Sequence, residues 1–372
     1  MSAKKNKELK SNNFIIAISA VILGLIAGAI LILVIGENPF SSFRYLVRGA
    51  LMSVRRTGTT LAITTTLMLV GLSIAFAFKT GLFNIGASGQ ILAGGVAATT
   101  VAFAVDIPHV PLIFLILLTG FVAGAIWGLI PGLLKAFFNV HEVVSTIMMN
   151  WIAYWVVFYF VPAFLKGPSL ETESAGLPFE KTLRVGWLTE LFDGSNYINV
   201  GLIVAIIAVI VIKFIMDKTT LGFELKAVGY NRYGAEYAGI RVNRSVVLSM
   251  MIAGGLAGLA GVAYYCGYSG KIQIGILPTQ GFDGIAVALL GASSPVGVVF
   301  SSFFFGILQA GKGFMSGNTL VPPEIADTII AVIIYFTATS VMFKNFWDKR
   351  FKKINEKRNI VQKDSNSIEE DN

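Results

Sequence analysis

The sequence predicts an all-α polytopic membrane protein of about ten transmembrane helices with both termini in the cytoplasm. Three observations predict it. Of 372 residues, 55% are hydrophobic and only 13% charged, against about 25% charged in an ordinary soluble chain. A spanning helix needs roughly 20 apolar residues, and apolar stretches recur at 14–35, 59–78, 84–105, 110–130, 142–162, 197–215, 245–267, 281–291, 294–311 and 324–343, the eighth of them short. Ten spans put both termini on one side, and the distribution of basic residues says which. Residues 1–13 hold four Lys or Arg, 213–244 six and 344–372 eight, with Lys79 and Lys135 single, so twenty of the 29 lie on that side. The positive-inside rule makes it the cytoplasmic one. The chain divides into a cytoplasmic tail (1–13), a membrane domain (14–343) with a polar cytoplasmic loop (216–244), and a charged cytoplasmic tail (344–372).

The first stretch, "FIIAISAVILGLIAGAILILVI", is too long for a removed signal peptide and lacks a small-residue cleavage site. Arg44, Arg48, Arg55 and Arg56 follow it and would face outward. An amphipathic helix along the outer surface accounts for them, with Phe40, Phe43, Leu46 and Val47 as its apolar side. Glycines recur at intervals of four: Gly24 and Gly28, Gly120 to Gly132, and Gly254 and Gly258. Such stripes let helix backbones approach closely in lipid, where helices have no hydrophobic drive to associate.

At the mouth of the third stretch stands "GLFNIGASGQ" (81–90), a glycine-rich decapeptide with two amides, Asn84 and Gln90. Irregular backbone survives in a membrane only where protein or water satisfies it. Two readings stand side by side. Either Gly81, Gly86 and Gly89 permit a break in the span, with the amides bonding freed backbone or facing a solute, or the decapeptide is the tight inner turn between two spans. "STIMMNWIAYW" (145–155) offers a second candidate lining. Asn150 and Tyr154 share a helix face, with Trp151 and Trp155 forming a neighbouring stripe. An amide and aromatic rings suit a sugar hydroxyl or a nucleobase, and they suit helix packing equally. Asp283 stands two residues into the eighth stretch. A carboxylate at mid-bilayer costs about 2.5–3.5 kcal/mol, so a solvated outer end is its expected place.

Catalytic and nucleotide-holding motifs are missing. No Gly-rich run ends in Gly-Lys-Ser/Thr, the single Cys266 excludes an internal disulfide, and no Cys/His zinc pattern occurs. His141 and Glu142 are sequence neighbours and point apart on a helix, so a polar cap at the entry to the fifth span is their expected role. The net charge of +8 follows membrane orientation and implies no nucleic acid. An ion-coupled secondary transporter or channel would carry charged residues within its spans, and few occur. An intramembrane enzyme would need a buried catalytic constellation, and none is visible.

The polar loop is more specific. "FELKAVGYNRYGAEYAGI" (223–240) has helix-forming residues around Gly229 and Asn231, which turn one short helix into another. Small residues at Ala235, Ala238 and Gly239 suit a surface that docks into a cleft. This segment resembles the coupling-helix loop of ATP-binding-cassette importer permeases, in the branch serving simple sugars, branched-chain amino acids and nucleosides. "GLFNIGASGQ" and "GFDGIAVALLGASSPVGVVFSSFFFGIL" (281–308) resemble further segments of that family. The resemblance runs from the first span to residue 343 and is strongest to the longer permease of nucleoside (guanosine-type) uptake systems. Ser88 stands where many relatives carry an acidic residue.

The resemblance implies a division of labour. This chain would form the pathway, bind no cofactor and catalyse no reaction. A cytoplasmic ABC ATPase would use ATP and Mg and would engage Glu224, Gly229, Asn231, Ala235, Glu236, Tyr237 and Gly239. A second, shorter permease would complete a heterodimer, and an extracellular substrate-binding lipoprotein would deliver the solute. Asn84, Gln90, Asn150, Trp151 and Tyr154 are the candidate pathway residues. The expected solute is a nucleoside. Simple sugars such as ribose or galactose, or branched-chain amino acids, are the alternatives.

Overall fold

A computed structural model describes residues 2–167, 172–337 and 339. A helix lies on each of the ten apolar stretches: α1 (Ser2–Val34), α3 (Val54–Lys79), α4 (Ala87–Ala104), α5 (His109–Phe138), α6 (Glu142–Phe164), α8 (Gly201–Lys218), α11 (Val242–Val262), α12 (Gln280–Leu290), α13 (Pro295–Asn318) and α14 (324–337). Between them stand α2 (Pro39–Leu51), α7 (Gly186–Leu191), α9 (Thr220–Tyr230) and α10 (Arg232–Tyr237). No strand occurs among the described residues. Six helices are long and apolar enough to cross a membrane, seven if the bent α1–α2 pair is one span. The tail expected at 1–13 is helical from Ser2 and continues into the first stretch, whereas the tail expected at 344–372 lies outside the described residues.

Glycine seams hold the centre together. A Cβ at Gly254 would come within 2.3 Å of the Gly124 carbonyl oxygen, and one at Gly258 within 2.2 Å of that of Gly120. On the other side of α11, a Cβ at Gly261 would come within 2.1 Å of the Ile91 oxygen in α4. Any side chain at these points pushes backbones apart, so the stripes fix how closely α4, α5 and α11 pack. Gly24 and Gly28 likewise admit Ile333 and Ile329 of α14. Ser73 reinforces the α3–α11 contact by donating to the Ala253 carbonyl at 2.6 Å.

The arginine-rich segment is α2, folded back at 117° from α1. Pro39 opens it and Asn38 caps it by accepting from Phe40 N. Its buried side is Ser42, Leu46, Gly49 and Ala50, against α13, with a Cβ at Gly311 meeting the Leu46 carbonyl. Phe40 and Val47, expected on the apolar side, are exposed. Arg56 lies 4.9 Å above the Phe314 ring and donates to the Gly49 carbonyl, tying the end of α2 to α3. His141 caps α6 by accepting from Val143 N at 3.3 Å, and Glu142 pairs with Lys135 at 2.9 Å.

Candidate functional site

Three regions carry the polar chemistry. The first is the polar loop, which folds as α9 and α10. Thr219 caps α9 by accepting from Gly222 N, and Lys226 returns to Asp217 at 3.4 Å, pinning α9 against the end of α8. Asn231 is the turning residue. Its backbone is extended (φ −157°, ψ 105°), and its side chain accepts from Gly234 N at 3.0 Å as the cap of α10. Gly229 lies within α9 and does not itself turn the chain. A Cβ there would come within 2.3 Å of the Lys79 carbonyl oxygen, so its bare backbone seats α9 on the end of α3 and on Gly81. Gly239 closes α10 at φ +83°, with Ile240 N bonding Ala235 O and Gly239 N bonding Glu236 O. This paired pattern is a Schellman stop, which favours glycine.

The arrangement presents one face and anchors the other. Tyr230, Tyr233 and Tyr237 project outward, Tyr237 being 97% exposed, and Glu236, Ala238 and Gly239 are exposed beside them. Glu224 is half-buried. Ala235, expected on the docking surface, is 4% exposed and packs with Val228, Val242 and Val246 beneath it. It anchors the loop to the bundle.

The second region is the decapeptide, which is a buried connection between α3 and α4. Leu82, Asn84 and Gly86 are buried, with Asn84 at 0% exposure. The Asn84 amide donates to Gln90 Oε1 at 3.0 Å, and its Oδ1 accepts from Gly86 N at 3.0 Å. Asn150 reaches across from α6, accepting from Gly89 N at 2.7 Å and donating to the Ile85 carbonyl at 2.9 Å. Helix N-termini leave unpaired N–H groups, and no side chain caps α4 from its own Gly86. Asn150 supplies that bond from another helix. Asn84 and Asn150 thus bond backbone, and Gln90 bonds Asn84.

The predicted pathway set is therefore divided. Asn84, Gln90 and Asn150 meet in one knot. Trp151 is 50% exposed on a neighbouring stripe of α6, packed edge-on against Tyr154. Tyr154 is half-buried, with its hydroxyl near Gly275.

The third region went unread in the sequence. The end of α11 widens into a π-helical turn (Ala263–Ser269), and the chain then runs irregularly to the start of α12. A cavity of about 270 Å³ lies between this turn, α3, α12 and α13. Asp283 lines it, together with Lys312 of α13. The legible signal was Asp283, Lys312 and Asp327 falling within or beside three successive apolar stretches.

Residues 56–338 match the family described as branched-chain amino acid transport system / permease component. The chain is 40% identical to the nucleoside ABC transporter permease protein NupB of Lactococcus lactis, over 90% of this chain and 93% of that protein. It is also 40% identical to the guanosine ABC transporter permease protein NupP of Bacillus subtilis, over 92% and 98%. The glucose ABC transporter permease protein TsgB13 of Haloferax volcanii is 32% identical, over 88% and 87%. No solved structure matches.

Proposed function

The chain belongs to the branched-chain amino acid transport system / permease component family, a multi-pass membrane protein of the plasma membrane, and on that premise we propose that it forms the translocation pathway of an ABC importer for nucleosides. The observation that carries the importer reading is the α9–α10 pair. Three tyrosines and Glu236 stand clear of the bundle, while Gly229 and Ala235 bind the pair to α3 and α11. A motor that pushed on this pair would move the backbone of α3 directly. Nucleosides are favoured because two relatives spanning nearly the whole chain are nucleoside and guanosine permeases. A simple sugar is the second reading, favoured by the glucose permease.

The rest of the assembly follows from the same proposal. Ten spans with cytoplasmic termini put α9–α10 inside, facing an ATPase that uses ATP and Mg. The permease would pair with a shorter one, and the chain is 28% identical to the guanosine permease NupQ of B. subtilis over 68% of its length. A lipoprotein outside would capture the solute.

Uptake of labelled guanosine, adenosine, ribose and leucine, in cells with and without this subunit, tests the solute. Both nucleosides should be lost. Loss of ribose or leucine uptake alone would end the nucleoside reading. Glu236→Arg tests the docking face, and it leaves the positive φ of Gly239 untouched. The variant should insert normally yet lose solute-stimulated ATP hydrolysis. Normal stimulation would remove α9–α10 from the coupling role.

A further inference from the structure

The cavity beside α12 has features that packing does not account for. α12 spans only 11 residues, about 16 Å at 1.5 Å per residue, roughly half of a bilayer core. It starts inside the protein: Gln280, in its first turn, lines the same cavity as Thr66, which stands at the middle of the 26-residue α3. The N-terminus of α12 therefore opens onto this cavity. In membrane transporters, half-helices whose N-termini open within the protein frequently mark solute sites, because their unpaired N–H groups and positive dipole end face the pathway. The π-helical turn that precedes it brings Tyr264 and Tyr268 onto the cavity wall, stacked 5.8 Å apart and inclined at 18°. Single π turns inside α-helices are rare and recur at functional sites.

The polar groups point the same way. Thr66 is 2% exposed, and its hydroxyl has no hydrogen-bond partner among the described residues. Lys312 is taken by Asp327 at 3.0 and 3.2 Å, and Gln309 donates to the same carboxylate. The Asp283 carboxylate makes no hydrogen bond or ion pair with any described residue; its backbone N–H donates to the Thr279 carbonyl at 3.0 Å. An intramembrane carboxylate with no partner is costly and is retained where it serves a function. The cavity thus offers aromatic faces, a free carboxylate, the amide of Gln280 and an unpaired hydroxyl.

We propose that this cavity is a station for the solute in transit, and that it takes the base of a nucleoside, with the ring against Tyr264 and a donor edge on Asp283. The proposal rests on the nucleoside reading above. An ionised carboxylate only accepts hydrogen bonds, so it selects solutes with adjacent N–H donors. The N1–H and exocyclic amine of guanine are such a pair and match a carboxylate in bidentate fashion. A sugar lacks the planar face, and a free amino acid offers neither that face nor a coplanar pair of donors. A second, smaller cavity shares Tyr264, Thr279 and Gln280 with this one and reaches Lys271 and Gln273, which gives the station a continuation along the segment before α12.

The test uses the complete transporter in proteoliposomes. In the Gln280→Cys variant the new thiol should react with a small maleimide and be protected by guanosine, while the native Cys266 is buried and silent. Tyr264→Ala should raise the KM for guanosine uptake about tenfold, in line with the loss of one stacked base, whereas Tyr264→Phe should keep the wild-type KM. Asp283→Asn should raise it by a similar factor, in line with the loss of charged hydrogen bonding. The affinity of the separate external binding protein for guanosine should not change. Guanosine uptake with an unprotected cysteine, or with unchanged KM in Tyr264→Ala and Asp283→Asn, would overturn the proposal while leaving the nucleoside reading standing. A wild-type transporter that imports ribose or leucine and not guanosine would overturn both. If Tyr264→Ala fails to assemble, the protection experiment on an otherwise native chain decides.

Discussion

α4 and α12 both begin inside the protein, and their first turns touch: a Cβ at Gly281 would meet the Ser88 hydroxyl, which itself donates to the Pro278 carbonyl at 2.9 Å. The two openings are finished in opposite ways. Around the start of α4, Asn84 bonds Gln90 and the Gly86 N–H, and Asn150 bonds the backbone at Ile85 and Gly89. Around the start of α12, no side chain caps the helix, Thr66 is unpaired and Asp283 is free. A saturated polar knot fixes geometry, because a ligand group would have to break a bond to make one. An unsaturated site of similar residue types keeps bonding capacity in hand. Residue type alone does not separate a fastener from a binding site; the state of its partners does.

Three substitutions sharpen this contrast, and thermal unfolding of the detergent-solubilised protein reads all of them. Asn150→Leu should have the largest effect. It strands the Gly89 N–H and the Ile85 carbonyl in a buried setting, at about 1–3 kcal/mol each, so the melting temperature and the inserted yield should both drop sharply. A wild-type melting temperature would mean that the knot does not hold α4. Thr80→Val is intermediate. Thr80 and Ser249 share a buried 2.8 Å hydrogen bond between α3 and α11, and its loss should cost about 1 kcal/mol. Thr66→Val, the same chemical change fourteen positions earlier on α3, should be smallest and opposite in sign. It removes a hydroxyl that has no partner, so stability should rise by a fraction of about 1 kcal/mol. If Thr66→Val destabilised as much as Thr80→Val, the two openings would not differ as described.

Much of the architecture was readable in advance because each signal is local. Apolar runs gave the helices, since backbone in lipid must bond within its own segment. Glycines four apart gave the α5–α11 seam, since that spacing puts bare backbone on one face of a helix. Asn231 gave the break between α9 and α10, since a helix terminus is set within a few residues, whereas Gly229, read as part of the same turn, lies inside α9. The site was read less completely. Asn84, Gln90 and Asn150 stood out as amides in apolar surroundings, but whether they faced a solute depended on residues about sixty positions apart in sequence. Trp151 and Asn150 are adjacent in the chain, yet Asn150 is buried and Trp151 half exposed. Ala235 was placed on a surface because it is small, whereas its smallness serves close packing.

By itself, then, the sequence determined the membrane-embedded helical class, the glycine stripes, the two short helices of the polar loop and a family resemblance. Each rests on composition or on spacings of a few residues, and neither changes when the chain folds. Only the tertiary structure decided which buried polar groups are satisfied. Lys312 pairs with Asp327 and so leaves Asp283 free, Asn150 caps a helix that begins sixty residues before it, and Gly229 is bare because the end of α3 lies against it. Hydrogen bonds and backbone contacts of this kind act over about 3 Å, and the chain brings such partners together only by folding.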